Sequence, residues 1–150
     1  MSELDKQIVN HLTRNARMSF RQIAQETDKS TDTIINHYTE LLQKGDIRGS
    51  TVVVDIDKLG YEGIAAFEID VTSNSDTNSD TILNTLIKMP NVIVATKTVG
   101  EHDLLALAVI HNLKHYQQIS SEIAQIHGVK NTASNIWSGN QKIMPKYFII

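Results

Sequence analysis

Apolar residues recur every three or four positions over the first third of the chain, and mostly every second position afterwards. Leu4, Ile8 and Leu12 space a first helix, with Ser2 and Asp5 placed as its N-terminal capping pair. Asn15-Ala16-Arg17-Met18 breaks that rhythm. Ser19 opens a second short helix carrying Phe20, Ile23 and Ala24, and Gln22 completes a capping box. After the interruption Thr27-Asp28-Lys29, Ser30 caps a third helix with the expected buried stripe Ile34, Ile35, Tyr38, Leu41 and Leu42, stopped by Gly45. Three short helices in this order form a tri-helical helix-turn-helix pattern.

From residue 50 the pattern becomes that of strands. Val52 to Ile56 is β-branched and predicts a strand, followed by the turn-like connector Asp57-Lys58-Leu59-Gly60-Tyr61. A second strand places Ala65, Phe67, Ile69 and Val71 on one face, with Glu68 and Asp70 on the other. Ser73 to Asp80 is a polar loop, and Ile82, Leu83, Leu86 and Ile87 mark a helix stopped by Pro90. Val92–Val99 and His102–Ile110 predict two strands joined by a tight hairpin at Gly100-Glu101. Leu113, Tyr116, Ile119, Ile123 and Ile126 give a helix ending at Gly128; Val129–Trp137 gives a last strand, and Lys146–Ile150 a further extended piece. The order β-α-β-β-α-β is that of a ferredoxin-like domain. An internal echo agrees with it, since Pro90-Asn91-Val92 and His127-Gly128-Val129 each lead from a helix into a strand. The expected class is α+β, with a helix-turn-helix domain over 1–50, a connecting strand and linker over 51–61, and the ferredoxin-like domain over 62–150.

Composition narrows the function classes. The chain has 150 residues, 41% of them hydrophobic and 21% charged, which excludes wholesale disorder. It has no cysteine, hence no disulfide and no thiolate chemistry. The longest apolar run, Leu104 to Ile110, is far too short to span a bilayer, so a cytoplasmic protein without membrane contact is expected. Residues 1–50 hold seven Lys/Arg against seven Asp/Glu, and residues 51–150 seven against ten. Any phosphate-binding surface must therefore come from local clustering in the first third.

The ordered series Leu4-Asp5, Ile8, Leu12, Asn15-Ala16-Arg17, Ser19, Ile23-Ala24, Ser30, Thr33, Leu41, Gly45, Ile47 and Gly49 continues with Leu59-Gly60-Tyr61, Pro90, Val92, Gly100 to Asp103, Gly128-Val129 and Thr132. Together these residues resemble the Lrp/AsnC family of prokaryotic transcription regulators. The resemblance implies a winged or tri-helical helix-turn-helix domain joined to a ferredoxin-like RAM domain. It also implies double-stranded DNA as partner, amino-acid effectors, and homodimers that assemble into tetramers to octamers. No enzymatic activity, cofactor or metal is expected.

The residue chemistry can be read beside that expectation. On the third helix, the face opposite Ile34 and Tyr38 carries Lys29, Thr33, Asn36, Glu40 and Gln43, with Asp32 and His37 on its flanks. Asn36 and Thr33 are groups that can meet base edges, and His37 suits a phosphate or edge contact. Ser30 and Thr31 open the same helix and are counted with the DNA-facing residues. Arg17, Arg21, Lys29, Lys44 and Arg48 are candidate phosphate clamps. Relatives often carry arginines in the middle of this helix, where Asn36 and His37 stand here. Asp32 and Glu40 also bring negative charge, so a metabolite-sensing or assembly module with weakened DNA binding is an alternative.

Gly100 can adopt positive φ and expose backbone amides to a small ligand, and Asp103 can pair with an α-amino group. The family resemblance implies that this loop lines an amino-acid cleft between dimers, completed by the strand bearing Thr132 and Ser134. His102 replaces the family's usual aromatic residue and introduces pH sensitivity. His111 and His115 have i, i+4 spacing, but His111 falls at a strand end, where the two rings need not converge on a metal. Tyr38, Tyr61, Tyr116 and Trp137 are expected to pack. A sirohaem-decarboxylase-like enzyme resembles the same two-domain family, but residues 51–150 contain no arginine for a many-carboxylate tetrapyrrole.

Overall fold

The computed structural model describes residues 1–72 and 78–138. They fall into two compact units that meet in sequence between Val53 and Val54. The predicted extended piece at 146–150 and most of the predicted polar loop lie outside the described residues.

The first unit is three helices: α1 (Glu3–Arg14), α2 (Phe20–Thr27) and α3 (Thr31–Gln43). Each starts where a side chain satisfies the backbone donors that a helix leaves open. Ser2 Oγ accepts from Asp5 N at 3.1 Å, while the Asp5 carboxylate accepts from Ser2 N at 2.6 Å. Ser19 and Gln22 repeat the device on α2, and Ser30 Oγ accepts from Thr33 N at 3.1 Å on α3. Asp28, in the left-handed conformation at φ 52°, makes the turn between α2 and α3. Ile8, Ile23, Ala24, Ile34 and Leu41 form the buried core, edged by Leu4, Leu12, Phe20 and Ile47. Ile35 and Leu42 are exposed, contrary to the predicted stripe. At 100° per residue they stand about 80–100° from Ile34, which puts them at the margin of a stripe that three helices can bury only along its centre.

The second unit carries a four-stranded antiparallel sheet in the order β2-β3-β1-β4, built from β1 (Gly63–Val71), β2 (Val92–Lys97), β3 (Leu104–Ile110) and β4 (Val129–Ser138). Helices α4 (Ser79–Lys88) and α5 (Leu113–Ala124) lie on one face. Ala65, Phe67 and Ile69 from β1, with Leu104, Ala106 and Ala108 from β3, pack there against Ile82, Leu86, Ile119 and Ile123. This is the ferredoxin-like arrangement that the order of elements predicts. The internal echo has a backbone basis: Asn91 at φ 69° and Gly128 at φ 94° take the same left-handed turn into β2 and β4.

Three local expectations fail. Val52 to Ile56 forms no strand: Val52, Val53 and Val54 are exposed, and Ile56–Leu59 is a 3-10 turn. β-branched residues favour extended backbone, but a strand also needs a neighbour to pair with. Nor is there a tight hairpin at Gly100-Glu101. The ladder ends at Lys97↔Leu104, so six residues connect β2 and β3, and Gly100 is not among the positive-φ residues. Thr98 closes this longer loop by donating from its backbone N–H to Asp103 O and from its hydroxyl to His102 O. Finally, Trp137 remains 42% exposed instead of packing.

Trp137 lies on the sheet face that the helices do not cover. Register places Ile64, Ala66, Leu105, Leu107, Val109, Val94 and Trp137 on that side. Ile64, Ala66 and Val109 are buried, whereas Val94 is 40% exposed.

Candidate functional site

On the helical unit, Arg17, Arg21, Lys29, Lys44 and Arg48 are all exposed, and Asn36 is exposed on α3. Among the described residues, no ion pair holds Arg17, Arg21, Lys29 or Arg48. Lys44 instead donates to Glu40 Oε2 at 2.9 Å. That contact raises the Lys44 pKa and lowers that of Glu40, and it offsets the negative charge that Glu40 brings to the helix face. Ser30 is occupied as the cap of α3, with its hydroxyl 2.8 Å from Thr33 Oγ1. Thr31 and Thr33 are half-buried on the first turn.

His37 is placed in a way that the sequence alone does not reveal. Its Nδ1 lies 2.7 Å from Asp5 Oδ1, a bond from α3 to the N-terminal turn of α1. The His37 contact, followed by the Ser2 N–H, holds the Asp5 carboxyl far below the usual carboxylate range. The two residues are 32 positions apart, so no helical or strand periodicity could have joined them.

The second candidate region is the β2–β3 connection. His102 Nδ1 is 2.8 Å from Asp70 Oδ1, and Nε2 is 3.5 Å from Glu68 Oε2. Asp70, with Glu68 and Glu101 adding to it, raises the His102 pKa despite partial burial. Asp103 is knitted to the end of β1, since its backbone N–H donates to Ile69 O at 3.1 Å and its Oδ2 accepts from Val71 N at 2.8 Å. Thr132 and Ser134 do not join His102. Their partners in the ladder are Ile69 and Phe67, which puts them on the helix-covered face, opposite Glu68 and Asp70. Ser134 Oγ is 2.6 Å from the Tyr116 hydroxyl, and the Tyr116 ring stacks on Phe67. Within one chain, then, the predicted effector residues stand on opposite faces of the sheet. A Cβ added at Gly100 meets nothing within 4 Å, so this glycine guards no close approach here.

A third cluster gathers around the two histidines that the sequence spaces four apart. The rings of His111 and His115 do converge, stacked 5.0 Å apart, with Tyr61 stacked on His111 at 4.3 Å. His111 Nδ1 is bound to Gly60 O at 2.7 Å, and Asn91 lies within hydrogen-bond reach of both the Tyr61 hydroxyl and His115 Nε2. Asn91 itself stands at positive φ, 69°. Among the described residues no group of three potential ligands could hold a metal ion, and no helix is long and apolar enough to cross a membrane.

Comparison with known proteins gives these two surfaces a family context. Residues 1–48 match a winged helix-turn-helix DNA-binding family, and residues 64–145 match the Lrp/AsnC ligand binding domain. An uncharacterised HTH-type transcriptional regulator of Pyrococcus abyssi is 26% identical over 136 residues, covering 91% of this chain and 90% of the relative. The structure of E. coli AsnC superposes with a TM-score of 0.78 at 24% identity, over 97% of this chain and 96% of that one. The transcriptional regulator NMB0573 of Neisseria meningitidis, solved as an L-Met complex, superposes with a TM-score of 0.80 at 17% identity, over 100% and 99% of the two chains. The matched ligand-binding domain alone spans more than half of the sequence, and the chain belongs to the Lrp/AsnC family of helix-turn-helix transcription regulators.

Proposed function

We propose that this regulator acts in the cytoplasm as a homo-oligomer that binds specific duplex DNA and responds to a small amino acid. Arg17, Arg21, Lys29, Lys44 and Arg48 hold phosphates, while Thr33, Asn36 and His37 face base edges, beside Ser30 and Thr31 at the start of α3. The αβ unit joins copies through its uncovered sheet face. The observation that carries this reading is the set of exposed cations Arg17, Arg21, Lys29 and Arg48 on the helical unit, which no ion pair among the described residues holds, together with the match of residues 1–48 to a winged helix-turn-helix DNA-binding family.

The amino-acid cleft forms between copies. His102 and Asp103 of the loop that begins near Gly100 come from one subunit, and Thr132 and Ser134 come from another. This arrangement fits their placement on opposite faces of a single sheet. The L-Met complex of the structural relative supports the choice of ligand class. Asp103 Oδ2 already accepts from Val71 N, so Asp103→Asn keeps a backbone acceptor and removes the charge that would meet an ammonium.

The test is a thermal-shift screen of the twenty amino acids, read beside sedimentation and retention of duplex DNA. At least one amino acid should stabilise the wild type and change its assembly, and Asp103→Asn should abolish both effects without lowering its unliganded stability. If no amino acid acts at millimolar concentration, effector control is excluded and a constitutive regulator remains.

A further inference from the structure

We infer that Asp5 is a positioning residue for DNA reading: it fixes the proton of His37 on Nδ1, so that Nε2 meets the groove as an acceptor and selects an exocyclic base amine. The inference rests on the DNA-binding role proposed above and adds to it the chemistry read at one position.

The Asp5 carboxylate is locked at both oxygens. Oδ2 accepts from Ser2 N at 2.6 Å within the α1 cap, and Oδ1 faces His37 Nδ1 at 2.7 Å. An ionised carboxylate only accepts, so the hydrogen of this bond belongs to the ring. A neutral imidazole has one N–H; with that hydrogen on Nδ1, Nε2 carries a lone pair. Among the described residues Nε2 has no hydrogen-bond partner. The Asp5 side chain retains 14% of its exposure and that of His37 32%, so the carboxylate is the inner member of the pair and the ring the outer. His37 follows Asn36 directly and stands one helical turn after Thr33, beside the polar face of α3.

In the major groove, an acceptor pairs with the N4 amine of cytosine or the N6 amine of adenine. Phosphate oxygens and the guanine O6/N7 edge offer only acceptors, so a Nδ1–H ring gains nothing from them. The charged groups facing the ring are Asp5 from α1 and Glu40 from α3, the latter paired with Lys44; α2 brings it no ion-pair partner among the described residues. A merely structural Asp5–His37 tie would affect stability and leave base preference alone.

The experiment selects bound duplexes from a randomised pool at pH 8 with the full chain, and reads the His37 tautomer by ring 15N NMR. The wild type should show the Nδ1–H form at pH 8 and enrich cytosine or adenine about fivefold or more at one position of each half-site. His37→Ala should flatten this position. Asp5→Ala should mix the tautomers and relax the preference, whereas Ser2→Ala, which removes only the Oγ side of the α1 cap, should keep the wild-type profile. If Asp5→Ala fails to fold, the wild-type NMR and the His37→Ala selection still decide. A Nε2–H ring in the wild type, or a base profile unchanged by His37→Ala, overturns the inference. Failure of the wild type to retain any duplex at low salt defeats the DNA-binding role itself, which is a different result.

Discussion

The helical unit and the αβ unit solve the problem of burial differently. Among the described residues, five form the buried helical core against eleven in the αβ core, so the smaller unit depends more on its caps and cross-links. Its three helices close on one another and leave Arg17, Arg21, Lys29 and Arg48 outside, with Ile35 and Leu42 exposed at the margin of the stripe. The αβ unit fills one sheet face with α4 and α5 yet leaves apolar side chains on the other. A polar remainder suits a hydrated, charged partner such as DNA, whereas an apolar remainder suits a copy of the same sheet. On the proposed function, binding and assembly fall to different units of one chain.

The sharpest way to break this contrast is Leu107→Asp. Leu107 lies near the middle of the uncovered face, opposite Ala66 on β1 and Val94 on β2. An unpaired carboxylate buried there between copies should cost at least about 3 kcal/mol, more than a hundredfold in association. Sedimentation should show monomers with intact circular dichroism, and the isolated helical unit should still bind DNA weakly. Unchanged assembly in this variant would move the interface off the sheet.

The same contrast explains what could be read from the sequence. Helix starts were legible because each depends on residues three apart: Ser2 with Asp5, Ser19 with Gln22, Ser30 with Thr33. Strand faces were legible from alternation, as Ala65, Phe67 and Ile69 illustrate. Pairings between distant elements were not. Asp5–His37 and Asp70–His102 each span 32 residues, and Tyr61, Asn91 and His115 converge from three separate segments. Val52–Val54 misled because β-propensity reports a preference for pairing without supplying the partner. The proposed effector residues are legible one by one, but their distribution over two sheet faces follows from register, which only the assembled sheet defines.

The two units should also differ in how they answer to pH. The pKa of His102 is raised in the folded state, so its contribution is fully present below the ordinary histidine range and is lost as pH climbs through the raised value. The pKa of Asp5 is depressed, so its contribution is present above the ordinary carboxylate range and is lost as pH falls through the depressed value. Raising pH from 6 to 9 should therefore lower the melting temperature of the αβ unit, reported by Trp137 fluorescence, and His102→Gln should remove that slope. Lowering pH from 5 to 2 should cost the helical unit stability that Asp5→Ala has already lost, read from its own amide protection. Parallel responses of the two units in both ranges would mean that these contacts carry no pH dependence.

The smallest expected effects come from two residues that share a backbone conformation, one in each unit. Asp28 at φ 52° and Asn91 at φ 69° both occupy the left-handed region that costs most side chains about 1 kcal/mol and glycine almost nothing. At Asp28 the side chain makes no hydrogen bond among the described ones. Asp28→Gly relieves the backbone, and the greater freedom of glycine in the unfolded chain offsets part of the gain. A net stabilisation of about 0.5 kcal/mol, confined to the helical unit, is expected, and loss of a negative charge beside Lys29 should tighten DNA binding slightly. Asn91→Gly relieves the same strain but deletes the amide that joins Tyr61 and His115. With each lost hydrogen bond worth about 1 kcal/mol, its net effect should be destabilising and confined to the αβ unit. Denaturant melts that resolve the units test the opposite signs directly. If Asn91→Gly proves as stabilising as Asp28→Gly, the knot around His115 contributes nothing, and the left-handed turn alone accounts for Asn91.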